Sequence, residues 1–133
     1  MNVLITLPKH LIDEIISGNK KYEMRLAKPI QMKLGEDGFF CVEKGTKWIR
    51  CWCKVDTILE LNTQGFDYDR WAKDLAVSPQ FIKGYVGWRK KAYLWHIDKV
   101  IVFEDESLCR DSLYVDRNPQ QFAYCPLSYG ESY

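Results

Sequence analysis

The chain is 133 residues long with a formal net charge of +1, and it is 47% hydrophobic and 14% aromatic. That length suits one domain with a full core, the apolar share excludes disorder, and the near-neutral balance excludes a global pull toward nucleic acid or an anionic membrane. Contact with a nucleic acid must therefore come from a local patch.

No apolar run reaches the roughly 20 residues that span a bilayer, and the N-terminus does not read as a secretory leader. Of five cysteines, only Cys51 and Cys53 are close in sequence, which fits free thiols in a reducing compartment. A cytoplasmic protein with no membrane association is the expectation.

Met1 to Leu7 is a short apolar run rich in Val, Ile and Thr and predicts a buried strand. Pro8 opens a helix on which Leu11, Ile12, Ile15 and Ile16 share the apolar face, and Gly18 ends it. From Lys20 the period changes to two, so that Lys21, Glu23 and Arg25 fall on one side and Lys20, Tyr22 and Met24 on the other. A bulge at the turn would bring Lys20 to Glu23 and Arg25 instead. Ala27 to Gly38 reads as loop.

Phe39 to Glu43 predicts a strand that turns through Lys44-Gly45-Thr46. The next strand alternates: Ile49, Cys51, Cys53 and Val55 on one face, Trp48, Arg50, Trp52 and Lys54 on the other, continuing to about Leu61. Two short helices follow, the first carrying Tyr68, Trp71, Ala72 and Leu75. The second is capped by Ser78-Pro79 and carries Phe81, Ile82 and Tyr85. Lys91 to Phe103 predicts a long strand placed centrally in its sheet. Leu113 to Val115 reads as one more short strand. Asn118 to Gln121 reads as a turn before Phe122 to Cys125, and 126–133 as a flexible tail. The expected unit is a single domain over residues 1–125.

Three stretches stand out chemically. Gly18 to Arg25 packs Lys20, Lys21, Glu23 and Arg25 around Tyr22, a density of charge that needs a defined pairing geometry. The Trp48, Arg50, Trp52 and Lys54 face has the composition of a platform for single-stranded bases, with rings to stack on and cations for phosphates. Packing of both rings under the Trp71 helix is the competing account. Trp88-Arg89-Lys90-Lys91 adds a basic loop before the long strand. Cys51 and Cys53 share an apolar face and lack zinc-clip spacing, so no metal site and no cofactor are expected.

The order strand, helix, then G-x-K-x-x-E-x-R, standing here as Gly18, Lys20, Glu23 and Arg25, resembles the ASCH family. Tyr85 to Ile97 (YVGWRKKAYLWHI) is similar to the Y-x-x-G-x-x-x-x-Y-x-W-x-I pattern of ASCH proteins found with phages and mobile elements. Asn118 to Cys125 (NPQQFAYC) is similar to their closing P-Q-x-W-x-Y segment, with Phe122 where tryptophan is usual.

The resemblance implies an α+β fold: a PUA-like small curved β-barrel with one helix after strand 1 and a two-helix insertion before the long central strand. It also implies a role in binding single-stranded RNA or a nucleotide-like ligand. The ligand-binding candidates are Lys20, Lys21, Glu23, Arg25, Trp48, Arg50, Trp52, Arg89, Lys90 and Trp95.

One ASCH subgroup resembles an amidohydrolase acting on N4-acetylcytidine through a lysine, a threonine and a glutamate. Lys20 matches the lysine, but Glu23 stands at the threonine position, and no residue matches the glutamate, for which Glu60, Asp67 and Asp69 are only near candidates. As an enzyme the chain would be an amidohydrolase on modified nucleosides with Lys20 and Glu23 as the catalytic pair. An interaction module for a phage or host protein is the third reading.

Overall fold

The computed structural model describes residues 1–125 as a six-stranded mixed sheet with three α-helices, an α+β arrangement. The tail expected over 126–133 lies outside the described residues. In chain order the elements are β1 (Asn2–Leu7), α1 (Lys9–Ser17), β2 (Tyr22–Arg25), β3 (Gly38–Glu43), β4 (Ile49–Asn62), α2 (Tyr68–Leu75), α3 (Pro79–Val86), β5 (Lys91–Val102) and β6 (Ala123–Cys125). The sheet order is β2-β5-β4-β3-β1-β6. β1 and β3 are parallel, as their long connection through α1 and β2 allows, and the other neighbours are antiparallel.

α1 forms because Leu11, Ile12 and Ile15 recur on one face, and it buries these three against the sheet while Ile16 stays exposed. It ends at Gly18, whose φ of 85° is a left-handed conformation that costs glycine little. The expected pair of short helices before the long strand is present. Asp67 caps α2 through the amide of Arg70, and Ser78 caps α3 through that of Phe81. β5 is interior, held by β2 on one side and by β4 along nearly its whole length on the other.

Two expectations are corrected. Leu113 to Val115 is not a strand: Arg110–Leu113 is a 3-10 turn and Tyr114 has a φ of 61°. The run Leu-Tyr-Val has strand composition, but its apolar residues anchor a loop, with Leu113 and Val115 buried beside Leu4, Phe40 and Trp52. Nor does β4 keep one polar face. Cys51, Cys53 and Val55 enter the core under α1, whereas Ile49 and Trp52 enter a second core with Phe40 and Leu113. A register shift between Cys41 and Val42 re-aims the strand, so simple alternation fails there.

Gly38 marks a close approach, since a Cβ at that position would stand 1.7 Å from the Cys53 carbonyl oxygen. Beside it, the buried Asn2 side chain accepts from the Gly38 amide at 2.7 Å and from Trp52 Nε1 at 3.1 Å. Replacing Asn2 by alanine removes the acceptor that both donors share. An expected loss of about 1–3 kcal/mol in a urea denaturation series follows, and a loss near zero would mean that other acceptors take its place.

Candidate functional site

Lys20 and Lys21 both precede β2, which begins at Tyr22. Strand alternation therefore does not govern them. The Lys20 amide bonds the Glu14 carbonyl at the end of α1 (3.0 Å), and the Lys21 amide bonds the Asp74 carbonyl (2.7 Å). This irregular step buries the Lys20 side chain beside Glu23 and leaves Lys21 exposed.

Lys20 Nζ lies 3.2 Å from Glu23 Oε1 and donates to the Leu75 carbonyl at 2.8 Å. Arg25 donates to Glu23 Oε2 from Nε (3.1 Å) and Nη2 (2.7 Å). Its remaining N–H groups reach backbone carbonyls: Gln120 and Gln121 from Nη1 at 3.2 and 2.9 Å, and Thr6 from Nη2 at 3.3 Å. All five guanidinium donors are thus engaged. Since β2 is the first strand of the sheet order and β1 and β6 are the last two, this one side chain ties opposite ends of the sheet together.

The three residues are only 3–5% exposed: Glu23 3%, Lys20 4%, Arg25 5%. Burial alone would push the Glu23 carboxyl up, but the charges of Lys20 and Arg25 outweigh it and hold the group below its ordinary value. Burial opposes the Arg25 charge too, and Glu23 more than restores it. Glu23 is therefore a fixed anion and Arg25 a fixed cation.

The cluster forms part of the wall of a cavity of about 1000 Å³. Other lining residues include Thr6, His10 and Lys44 from the β1 side, Ser78, Phe81 and Tyr85 from α3 and its cap, and Asn118 to Gln120 from the final loop. The Phe81 and Tyr85 rings lie nearly parallel, 6.3 Å apart at 7°. The Tyr85 hydroxyl, whose proton is held more tightly by burial, is 3.3 Å from Gln121 Nε2. A cavity of this volume has room for a small molecule.

Other candidates fall elsewhere. Trp52 is 4% exposed within the second core, so it does not present a ring for stacking. Trp48 lies outside β4 in an isolated bridge to Cys109, with Lys47 over its ring. Arg50 is paired with Glu43 and Asp105, and Lys54 with Asp98. The fold therefore does not assemble the expected four-residue platform, nor does it pack both rings under the Trp71 helix. Trp95 is fully buried between Phe39 and Phe122, outside the cavity lining. Arg89 and Lys90 are exposed, with Arg89 over the Trp88 ring, and they too lie outside that lining. Glu60 faces Lys91, Asp67 caps α2 and Asp69 is exposed in its first turn, so none supplies a carboxylate to the cavity.

His10, Lys44, Phe81 and Tyr85 were not nominated from sequence. Tyr85 opens the second motif quoted above, and that was the available signal. Phe81 reads as a core residue by helical spacing but is 56% exposed.

Cys41 lies opposite Cys51, and the sulfurs of Cys41, Cys51 and Cys53 stand within 4.8 Å of one another. The C-x-C spacing could not show the third member, which comes from the neighbouring strand. Three thiolates could hold a thiophilic ion, but burial pushes the Cys41 and Cys53 thiols up and so opposes the deprotonation that ligation needs.

No protein-family profile and no curated protein matches the chain in sequence. Its structure is similar to the crystal structure of ASCH from Zymomonas mobilis, with a TM-score of 0.73 at 16% identity over 98% of this chain and 90% of the other. Structures of two mutants of that protein match in the same way, at TM-scores of 0.73 and 0.72. The chain thus has the fold of the ASCH domain. Among the described residues no helix is long and apolar enough to cross a membrane.

Proposed function

Starting from a chain with the ASCH fold, we propose that the cavity binds the base of a nucleotide-like ligand, either free or at an unpaired position of single-stranded RNA. The observation that supports this reading is the buried Lys20–Glu23–Arg25 cluster in the wall of a cavity that also offers two parallel aromatic rings. Lys20 has a third N–H beyond its bonds to Glu23 and Leu75. Glu23 has about four lone-pair positions, and Lys20 and Arg25 take three of them. One donor and one acceptor, held side by side, match the carbonyl-and-amide edge of a base. Phe81 and Tyr85 supply faces for stacking. Arg25 acts as a clasp that closes the sheet into a PUA-like barrel and keeps this edge in place.

Binding is favoured over catalysis because Lys20 is held as a cation and Glu23 as an anion kept below its ordinary value by Lys20 and Arg25. A nucleophilic amine needs an unprotonated nitrogen, and a general base needs a proton affinity matched to the working pH. Here the amine is the cation of an ion pair, and Arg25 engages the carboxylate twice.

A titration of nucleosides, nucleoside monophosphates and short single-stranded RNA, followed by calorimetry, tests the reading. Saturable binding is expected, with Tyr85→Ala weakening it about 5- to 150-fold, since a stacked base contributes about 1–3 kcal/mol. No binding of any probe, or binding indifferent to both Tyr85→Ala and Phe81→Ala, would remove the proposal. Release of acetate from N4-acetylcytidine would replace it with an amidohydrolase.

A further inference from the structure

We propose that the ligand of this cavity carries a phosphate, seated at the rim by Lys44 and His10 while its base lies against Phe81 and Tyr85. This rests on the nucleotide reading above and narrows it to phosphorylated forms.

The chain as a whole is almost balanced, with 19 Lys and Arg against 18 Asp and Glu. The cavity is not: among the described residues its lining contains Lys20, Arg25 and Lys44 but one acid, Glu23. That acid is committed to Lys20 and Arg25 in the buried wall, so among the described lining residues no acid is left to answer Lys44. Lys44 is exposed at the turn after β3, and the carboxylate of its neighbour Glu43 is occupied by Arg50. His10, also exposed, lines the same space and adds a ring nitrogen that can donate. A neutral nucleoside leaves this excess unanswered, whereas a phosphate answers it with charge-assisted hydrogen bonds.

The surroundings agree. α1 starts beside these residues, its cap Pro8 provides no side-chain hydrogen bond, and its first turn contains no acid. The positive end of that helix therefore adds to the local field and does not oppose it. The remaining walls near α3 are apolar and aromatic, suited to a base and not to a second anion.

The phosphate can belong to a free mononucleotide or to the terminal nucleotide of an RNA strand, and the experiment separates them. Calorimetry would compare each common nucleoside with its 5′- and 3′-monophosphates, and a pentanucleotide with and without a terminal phosphate. The monophosphate is expected to bind at least about tenfold tighter than its nucleoside, because its charged hydrogen bonds are the stronger kind. The margin should shrink as salt rises from about 50 to about 200 mM, since the rim is open to screening. Lys44→Glu should bring the ratio toward one. Lys44 is exposed, so a thermal melt should show this variant folded like the parent.

If only the phosphorylated pentanucleotide shows the preference, the site reads an RNA end. If the mononucleotide shows it as well, the site takes free nucleotides. Equal binding of nucleoside and monophosphate overturns the phosphate and leaves the nucleotide-like reading standing. Binding of nothing removes both.

Discussion

Replacing Glu23 by alanine is expected to lower the unfolding free energy by about 3–5 kcal/mol, the range seen when one member of a buried ion pair is removed. Glu23 is the only carboxylate within salt-bridge distance of Lys20 or Arg25 among the described residues. Without it two cations remain in a wall that is almost fully buried. Their bonds to the carbonyls of Leu75, Thr6, Gln120 and Gln121 satisfy donors but do not neutralise charge. Urea denaturation at neutral pH reads the effect directly. A loss below about 1 kcal/mol, the scale of an exposed pair, would mean that water reaches the cluster and that its geometry is not locked.

The same group makes stability depend on pH in a defined direction. Its folded carboxyl is held below the ordinary value of 4.5, so Glu23 contributes fully above that value and loses its contribution as pH falls through the lower, folded one. Glu23→Gln keeps the shape and removes the charge. The stability difference between parent and Glu23→Gln should be flat near neutral pH and shrink in acid. A difference that grows on acidification contradicts a depressed carboxyl.

The residues of this cluster were legible in sequence, but their arrangement was not. Gly18 announced the helix end, and the spacing of Lys20, Glu23 and Arg25 matched a family pattern. Which lysine turns inward depends on where β2 begins, and that is decided by bonds outside the strand: the Glu14 carbonyl six residues back for the Lys20 amide, the distant Asp74 for that of Lys21, and the pairing of Tyr22 with His96. Periodicity contains no information about such bonds. For the same reason β4 misled. Its alternation was real, but a strand packed on both faces with a register shift has no free side on which to build a platform.

Strands, helices and caps were local and therefore readable. Ser78-Pro79 needs only its own side chain and the next turn to begin α3. The cavity was not readable, because its walls come from segments as distant as Thr6, Tyr85 and Gln120. Lys44 reads as a turn residue, and periodicity does not single out His10. Only the fold places both beside the same space.

Trp95 offers the sharpest separation between a residue that builds the site and one that touches the ligand. Trp95→Ala is expected to cost about 3–5 kcal/mol, the cost of emptying a large aromatic position in a core. The ring is fully buried against Phe39 and Phe122, and its strand position pairs with Glu23 across β2 and β5. Trp95→Phe should cost far less: most of the packing volume remains, and the substitution deletes Nε1, which has no hydrogen-bond partner among the described residues. Because Trp95 does not line the cavity, Trp95→Phe should bind nucleotides as the parent does. Parallel urea and calorimetric titrations of the two variants decide it. If Trp95→Phe folds normally and loses the ligand, the indole reaches into the cavity when the ligand is bound. If both variants keep their stability, the core around Phe39 does not depend on this ring, and the wall that positions Glu23 must be held by β2 and Arg25 alone.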